Sequence, residues 1–353
     1  MLYPLEARNP EVTREVNIVW TYLLKRLGFV IFVVWGVTLA TFFIAQVVPG
    51  DPALSALGDN AREEQILEWR ELKGLNEPVI VQYGIYFRGL LSGDLGTSLR
   101  TGRPIVQDLK DFFPGTLELA LTSVIFAIVF GVPAGILAAL YKDRWPDLLV
   151  RLLALLGGAT PIYWLAILLL ELLNNRLGWL PGPGRLDAYL IPPRAVTGMV
   201  GLDSLLARDF EVFVDSFRHL ILPAIVLGAF NAALLARMTR SALLEVLGQD
   251  YVRTAKAKGV RSSTLIFRHA LRNAALPILT VLGGLLGGLL SGAVLTETIF
   301  SWPGIGRYAT QAATSLDFPA IMGVTLLAGL ATSLINLGVD LLYAAADPRI
   351  SYG

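Results

Sequence analysis

The stretch LGFVIFVVWGVTLATFFIAQVV, Leu27–Val48, runs for 22 residues without a charged side chain. A helix needs about 20 such residues to cross the hydrocarbon core of a bilayer, where each backbone amide has to be bonded within its own segment. The run exceeds the ~7–15-residue apolar region of a secretory signal. It carries Phe29, Phe32, Trp35, Phe42 and Phe43, and it ends at Pro49-Gly-Asp-Pro52. An uncleaved membrane span is the expectation. Five further uncharged runs follow: Leu119–Tyr141, Leu152–Leu170, Leu220–Ala236, Ala274–Thr296 and Phe318–Val339.

Composition agrees with that reading. Only 16% of the 353 residues are charged and 54% are hydrophobic, whereas a soluble domain carries about 25% charged residues. The alternating ~10-residue strands of an outer-membrane barrel are absent. The expected fold is an all-α membrane protein with six transmembrane helices. With no cysteine in the chain, disulfides, thiolate metal sites and iron–sulfur clusters are excluded.

An even number of spans puts both termini on one side, expected to be the cytoplasm. The inner segments are then 1–26, 142–151, 237–273 and 340–353, with 16 Lys/Arg against 9 Asp/Glu. The outer segments 49–118, 171–219 and 297–317 hold 13 Lys/Arg and 19 Asp/Glu. Orientation is set by basic residues in short loops near span ends, and residues 237–273 alone hold eight. The spans lie at 27–48, 119–141, 152–170, 220–236, 274–296 and 318–339. The first outer segment predicts an amphipathic helix around Ala61–Lys73, a break at Gly74-Leu-Asn-Glu-Pro78, a second apolar-periodic stretch through Tyr83, Phe87 and Leu91, and a turn-rich Ser92–Ser98.

Within the basic loop, Asp250-Tyr-Val-Arg-Thr-Ala-Lys-Ala-Lys-Gly259 carries its own helix start and stop signals. Asp250 suits an N-terminus, Lys256 and Lys258 suit the negative end of the helix dipole, and Gly259 suits the C′ position. About two turns are marginal in water, so such a helix is built to dock on a partner. The candidate docking residues are Asp250, Tyr251, Arg253, Ala255, Lys256, Ala257, Lys258 and Gly259. In the fifth span, Gly283, Gly284, Gly287, Gly288 and Gly292 place small residues at i, i+4 spacing, which suits a close-packed interface or pore-lining face. Pro133 and Pro161 predict kinks in the second and third spans.

Several chemistries are missing. No G-x-x-x-x-G-K-[ST] phosphate loop, G-x-S-x-G elbow or H-E-x-x-H motif occurs, and His219 and His269 are the only histidines. Ser291 sits in a glycine-rich run without a nearby base in sequence and reads as packing. Glu118, Arg151, Glu171, Arg237, Glu297 and Asp340 all fall at span ends, where charges snorkel or meet water, and this argues against a proton-coupled carrier. A passive channel or secondary transporter for a small solute is the alternative to an energised importer; it requires no ATPase partner.

The segments Arg237-Met-Thr-Arg240, Leu243–Gly259 and Arg268-His-Ala-Leu-Arg-Asn273 resemble those of the dipeptide/oligopeptide-type permease subunits of bacterial ABC importers. So do Pro49-Gly-Asp-Pro52, Gln82-Tyr83 with Gly93–Ser98, Trp302-Pro-Gly-Ile-Gly306 and Asp347-Pro-Arg349. The likeness covers all but residues 1–20. Arg253-Thr-Ala255 stands where the wider importer motif has EAA, and His269-Ala-Leu-Arg272 where it has I-x-L-P. The resemblance implies a type I importer permease fold in a bacterial or archaeal cytoplasmic membrane, with residues 250–259 as the coupling helix. It implies as partners a second homologous permease, two P-loop ATPase subunits and an extracytoplasmic solute-binding protein that meets chiefly 49–118, with 174–218 and 298–317. No nucleic-acid partner, metal, catalytic residue or cofactor is expected in this chain; ATP would be bound by the ATPase. Family members carry dipeptides, longer peptides, metal chelates, glutathione and oligosaccharides.

Overall fold

The computed structural model describes residues 10–47, 52–58, 61–72 and 74–346. The Pro49-Gly-Asp51 and Asp347-Pro-Arg349 stretches, and Lys73 at the end of the expected amphipathic helix, lie outside the described residues. In chain order the helices are α1 (Pro10–Val47), α2 (Pro52–Leu57), α3 (Glu63–Leu72), α4 (Val79–Leu91), α5 (Ile105–Leu140), α6 (Trp145–Ala159) and α7 (Ile162–Leu169, extended by a π-helical turn, Leu170–Arg176). Then come α8 (Val200–Ala207), α9 (Phe210–Leu247), α10 (Asp250–Ala257), α11 (Ser262–Thr264, continued by the π-helical turn Leu265–Ala270), α12 (Leu271–Leu290), α13 (Val294–Ile299), α14 (Ile305–Thr314) and α15 (Phe318–Ala346). Five stretches are long and apolar enough to cross a membrane, lying in α1, α5, α9, α11–α12 and α15. The sixth span is the broken pair α6 and α7, bent by 98°. The bend has a local cause: Thr160 is extended (ψ 124°) because a residue before proline is pushed out of the helical region, and Pro161 offers no amide to continue the ladder. By contrast, α5 runs helical through both Pro114 and Pro133.

Two helices outrun their hydrophobic windows. α5 has 36 residues and α9 has 38, so at 1.5 Å per residue they span roughly 54 and 57 Å against a ~30 Å hydrocarbon core. Asp209 caps α9 by accepting from the Val212 amide at 3.2 Å, eleven residues before the apolar run begins at Leu220. The overhanging turns of both helices keep buried faces (Ile105 and Leu109 on α5, Val212 and Ser216 on α9), so tertiary packing extends them beyond the membrane-length stretch.

The two long helices form the spine. Between lipid-embedded helices there is little hydrophobic drive, so association rests on close contact between small side chains. A Cβ on Gly131 would lie 2.7 Å from the Ala232 carbonyl oxygen, and one on Gly135 2.6 Å from that of Ala236. Gly228 of α9 in turn receives the Phe126 ring, 2.6 Å from where its Cβ would stand. At the end bearing α10, the bundle is tied by a buried Asp147 at the start of α6. Its carboxylate accepts from Arg240 Nε and a terminal guanidinium nitrogen of α9 at 2.7 and 2.8 Å, with Arg151 3.5 Å away.

This packing makes a graded prediction. Gly131→Ala places a methyl against backbone that cannot yield, and should lower stability by about 1–3 kcal/mol. Gly288→Ala, with none of the described residues within 4 Å of the added Cβ, should leave it unchanged. Melting temperatures of the purified chain in mild detergent would separate the two.

Candidate functional site

α10 forms as its sequence punctuation requires, with one shift. Asp250 is the first helical residue, and Gln249 holds the capping position without a side-chain cap. The Asp250 carboxylate instead pairs with Arg253 at 3.3 Å, while Arg253 keeps 75% of its side chain exposed. At the other end Gly259 has φ +75°, its amide donates to the Lys256 carbonyl, and Val260 donates to Ala255. These paired bonds are the Schellman closure, which uses a left-handed C′ residue that only glycine adopts without cost.

One side of α10 holds it to the body. Val252 is fully buried and Ala255 half-buried, and the Tyr251 hydroxyl accepts from Asn273 Nδ2 at 2.6 Å. Arg253, Lys256, Ala257, Lys258 and Gly259 face outward. Arg261, Arg268 and Arg272 from the next segment are exposed as well, together with Phe267 at 63%. The result is a cationic projection with an exposed aromatic beside it, carried on a helix too short to stand alone.

The glycines of α12 divide into three groups. Gly283 and Gly287 face α15: a Cβ on Gly283 would collide with Val339, and one on Gly287 would sit 3.6 Å from Thr332 Cγ2. Ser291, one turn on, reaches Thr332 Oγ1 at 3.2 Å, as packing predicts. Among the described residues nothing lies within 4 Å of where a Cβ on Gly284 or Gly288 would stand. Gly292 stands apart at φ +109°, its missing Cβ leaving 2.9 Å to the Gly306 Cα.

That contact leads to an arrangement the sequence reading missed. Residues 297–317, expected as a connecting loop, belong with α13 to a helical hairpin driven into the bundle. Trp302 is buried with Leu119, Leu220 and Leu227, all inside the apolar windows, and its indole nitrogen donates to the Gly115 carbonyl at 2.8 Å. Glu297, expected to meet water at a span end, is fully buried. Its carboxylate accepts from Thr116 Oγ1 at 2.7 Å and from the Arg307 and Gly306 amides, and Thr116 Oγ1 accepts from the Ile305 amide at 2.8 Å. Two side chains from α13 and α5 thus satisfy the free amides that open α14. Any side chain on Gly304 or Gly306 would strike the Glu297 carboxylate, which explains both glycines of Trp302-Pro-Gly-Ile-Gly306.

Glu118 is likewise no snorkelling charge. It accepts from Arg185 at 2.5 Å and from the Gly201 amide at 2.8 Å, and the Arg185 guanidinium lies 5.4 Å above the Trp302 ring. On the same face, buried Asp317 accepts from Ser98 at 2.5 Å, and buried Asp108 accepts from Thr101 and Tyr308 at 2.8 and 3.0 Å. Burial, then the Asp108 charge, pushes the Tyr308 phenol well above its ordinary range, so it remains a donor. For Asp203 burial would raise the carboxyl pKa, but hydrogen bonds from Thr197, Gly198 and Val196 outweigh it and hold the group low. The clue available in sequence was the glycine–proline spacing of 302–306 with Glu297 close before it; Thr116, Glu118 and Asp108 were hidden because they lie far away along the chain. Beside these groups opens a cleft of about 560 Å³, lined mainly by apolar side chains such as Leu109, Phe113 and Leu327, with Lys110 at its wall.

The chain is a bundle of membrane-length helices that presents a cationic helix at one end and closes the other with a pinned hairpin. The family model for the binding-protein-dependent transport system inner membrane component matches residues 131–352, and that for the N-terminal part of such membrane components matches 19–120. The chain belongs to this family of inner membrane transport components. Among similar proteins is the probable D,D-dipeptide transport system permease protein DdpB of Escherichia coli K12, 46% identical over 95% of this chain and 98% of that one. The dipeptide transport system permease protein DppB of Alkalihalophilus pseudofirmus is 46% identical over 94% and 99%. Of solved structures, inward-facing conformations of the MetNI methionine ABC transporter align with TM-score 0.47 and 17% identity, covering 69% of this chain and 97% of that one. The protein is therefore a multi-pass inner membrane permease component of a transport system that depends on a binding protein.

Glu297 gives a prediction with a pH signature. Burial raises its pKa above the ordinary 4.5, against the hydrogen bonds that lower it. A folded pKa above the unfolded one makes this group's contribution to stability complete at low pH and loses it as pH climbs from the ordinary value through the raised one. Glu297→Ala should cost about 1–3 kcal/mol by stranding the α14 amides. Glu297→Gln should cost less and flatten the pH dependence in that window, as read from melting temperatures across a pH series.

Proposed function

We propose that this chain forms half of the translocation pore of an ATP-driven importer of di- or oligopeptides, with α10 as the element that docks on a separate ATPase subunit. The observation that carries the reading is the geometry of α10: a Schellman-closed helix anchored through Val252 and Tyr251, with Arg253, Lys256 and Lys258 projecting outward. Such a helix transmits force as a rigid peg, since its inner side is packed and its outer side is free. The dipeptide names of relatives aligned along nearly their whole length support the substrate class.

The basic end faces the cytoplasm in this reading, following the concentration of Lys/Arg in 237–273, and both termini lie there. ATP is bound by two copies of the ATPase and not by this chain. A second, homologous permease completes the pore; Gly284 and Gly288, which meet nothing among the described residues, suit close approach by its helices. The solute-binding protein docks on the acidic end, where 49–118, 174–218 and 298–317 are the candidate contacts. The hairpin pinned by Glu297 and the Arg185–Glu118 pair would hold that end in one arrangement until ATPase closure moves the bundle.

The triple variant Arg253→Glu, Lys256→Glu, Lys258→Glu should insert normally, yet lose co-purification of the ATPase and reduce labelled dipeptide uptake at least about tenfold. Gly259→Pro should act the same way, since proline can neither adopt φ +75° nor donate to Lys256. Wild-type uptake by the triple variant would remove the docking role from α10.

A further inference from the structure

A second cluster on the acidic end takes no part in the arrangement above. Asp215 and His219 stand at i, i+4 on the overhanging first turns of α9, and Asp187 approaches them from the loop after the π-helical turn. One ligand atom from each of the three lies within 4.8 Å of the others. The Asp187 amide donates to Asp215 Oδ2 at 2.9 Å, which fixes the loop at this position.

The histidine tautomer decides what the cluster can hold. His219 Nδ1 sits 3.0 Å from the Asp215 backbone carbonyl. A carbonyl only accepts, so Nδ1 carries the hydrogen and the neutral ring presents its lone pair at Nε2. Nε2 has no hydrogen bond and faces Asp187 Oδ1 across 3.8 Å, with only 3% of the side chain exposed. In the neutral ring, two acceptors face one another across a gap too long for a hydrogen bond. That separation falls within the ~3.4–4.2 Å that two ligands of one ion adopt with ~2.1 Å bonds. Among the described residues no Lys or Arg pairs with either aspartate; Asp187 meets the Tyr189 hydroxyl, and Asp215 Oδ2 meets the Asp187 amide and lies 3.4 Å from His219 Nδ1. The ring's other nitrogen bonded to a backbone carbonyl is also the outer-shell arrangement that orients metal-binding histidines.

We propose that Asp187, Asp215 and His219 Nε2 form a binding site for a divalent first-row cation of the zinc type. Imidazole with carboxylate oxygens suits such ions, and the half-exposed Asp187 leaves the remaining coordination position to water. The site joins the 185–198 segment to α9. Since Arg185 of that segment holds Glu118 and covers Trp302, an ion here would stiffen the acidic end where the hairpin is pinned. The inference stands on these contacts alone and is independent of the substrate carried.

The test uses the purified full-length chain in mild detergent, stripped with a chelator and titrated with Zn²⁺ against a competing chromophore at pH 7.5. We expect about one equivalent of Zn²⁺ per chain, with affinity at least about tenfold weaker in Asp187→Asn and in His219→Gln, and unchanged in His269→Gln. With Co²⁺ as a spectroscopic probe, the visible absorption of the bound ion should disappear in His219→Gln. Asp187→Asn lies on a loop and keeps the fold testable if the buried histidine variant aggregates. Wild-type protein that takes up no stoichiometric Zn²⁺, or equal binding by wild type and Asp187→Asn, would overturn the site and leave a His–Asp contact that only a proton bridges.

Discussion

The approach of α5 to α9 is the constraint from which the remaining geometry follows. Gly131 and Gly135 let the two backbones meet at distances that any side chain would prevent, and in lipid such close contact is what holds helices together. Once these helices are in place, their overhanging turns rise past the hydrocarbon region and become the walls against which everything at the acidic end is built. Gly115, Thr116 and Glu118 occupy successive positions on the overhang of α5, and each bonds a different segment: the Trp302 indole, the start of α14, and the Arg185 loop. A small change in the helix crossing would displace all three partners together.

The two ends of the molecule are built on different physics. At the acidic end, the buried Glu297, Glu118 and Asp317 carboxylates are bonded by hydroxyls, amides and a guanidinium, which fixes the hairpin in a well-defined arrangement. At the basic end the charges are left in the open, while Val252, Ala255 and the Tyr251–Asn273 bond attach α10 to the body. Rigid fixation suits a surface that must hold a hairpin in register. Solvent-facing cations on a helix packed along its inner side suit a surface meant for another protein. The Asp147–Arg240 pair lies between these regimes, buried yet close to the basic face, and it fastens the broken span to the spine.

The sequence was legible where its signals are local. Six apolar runs anticipate the six spans, and the 98° break falls at Pro161, where the chain loses a donor and the preceding residue loses its helical option. Helix ends were less readable. The extension of α5 exposes Gln107, Lys110 and Asp111, and that of α9 buries Asp215, Ser216 and His219, so the uncharged runs begin only at 119 and 220 while packing carries the helices back to Ile105 and Phe210. The glycines from 283 to 292 suggest one face, but α12 turns Gly283 and Gly287 to α15 and Gly284 and Gly288 to open surface, while Gly292, past its end, meets the Gly306 backbone.

Sequence alone determined that this is an all-helical membrane protein with a basic loop holding a self-punctuated helix, because apolar run length, charge placement and the Asp250–Gly259 cap signals each act within a few turns of chain. Only the tertiary structure decided that Glu118 and Glu297 are buried partners instead of water-facing charges, that Trp302 reaches a carbonyl 187 residues away, and that Asp187, Asp215 and His219 converge. Those facts depend on which helix lies beside which and at what height. That registry arises from close contact between glycine faces far apart in sequence, and no local periodicity encodes it.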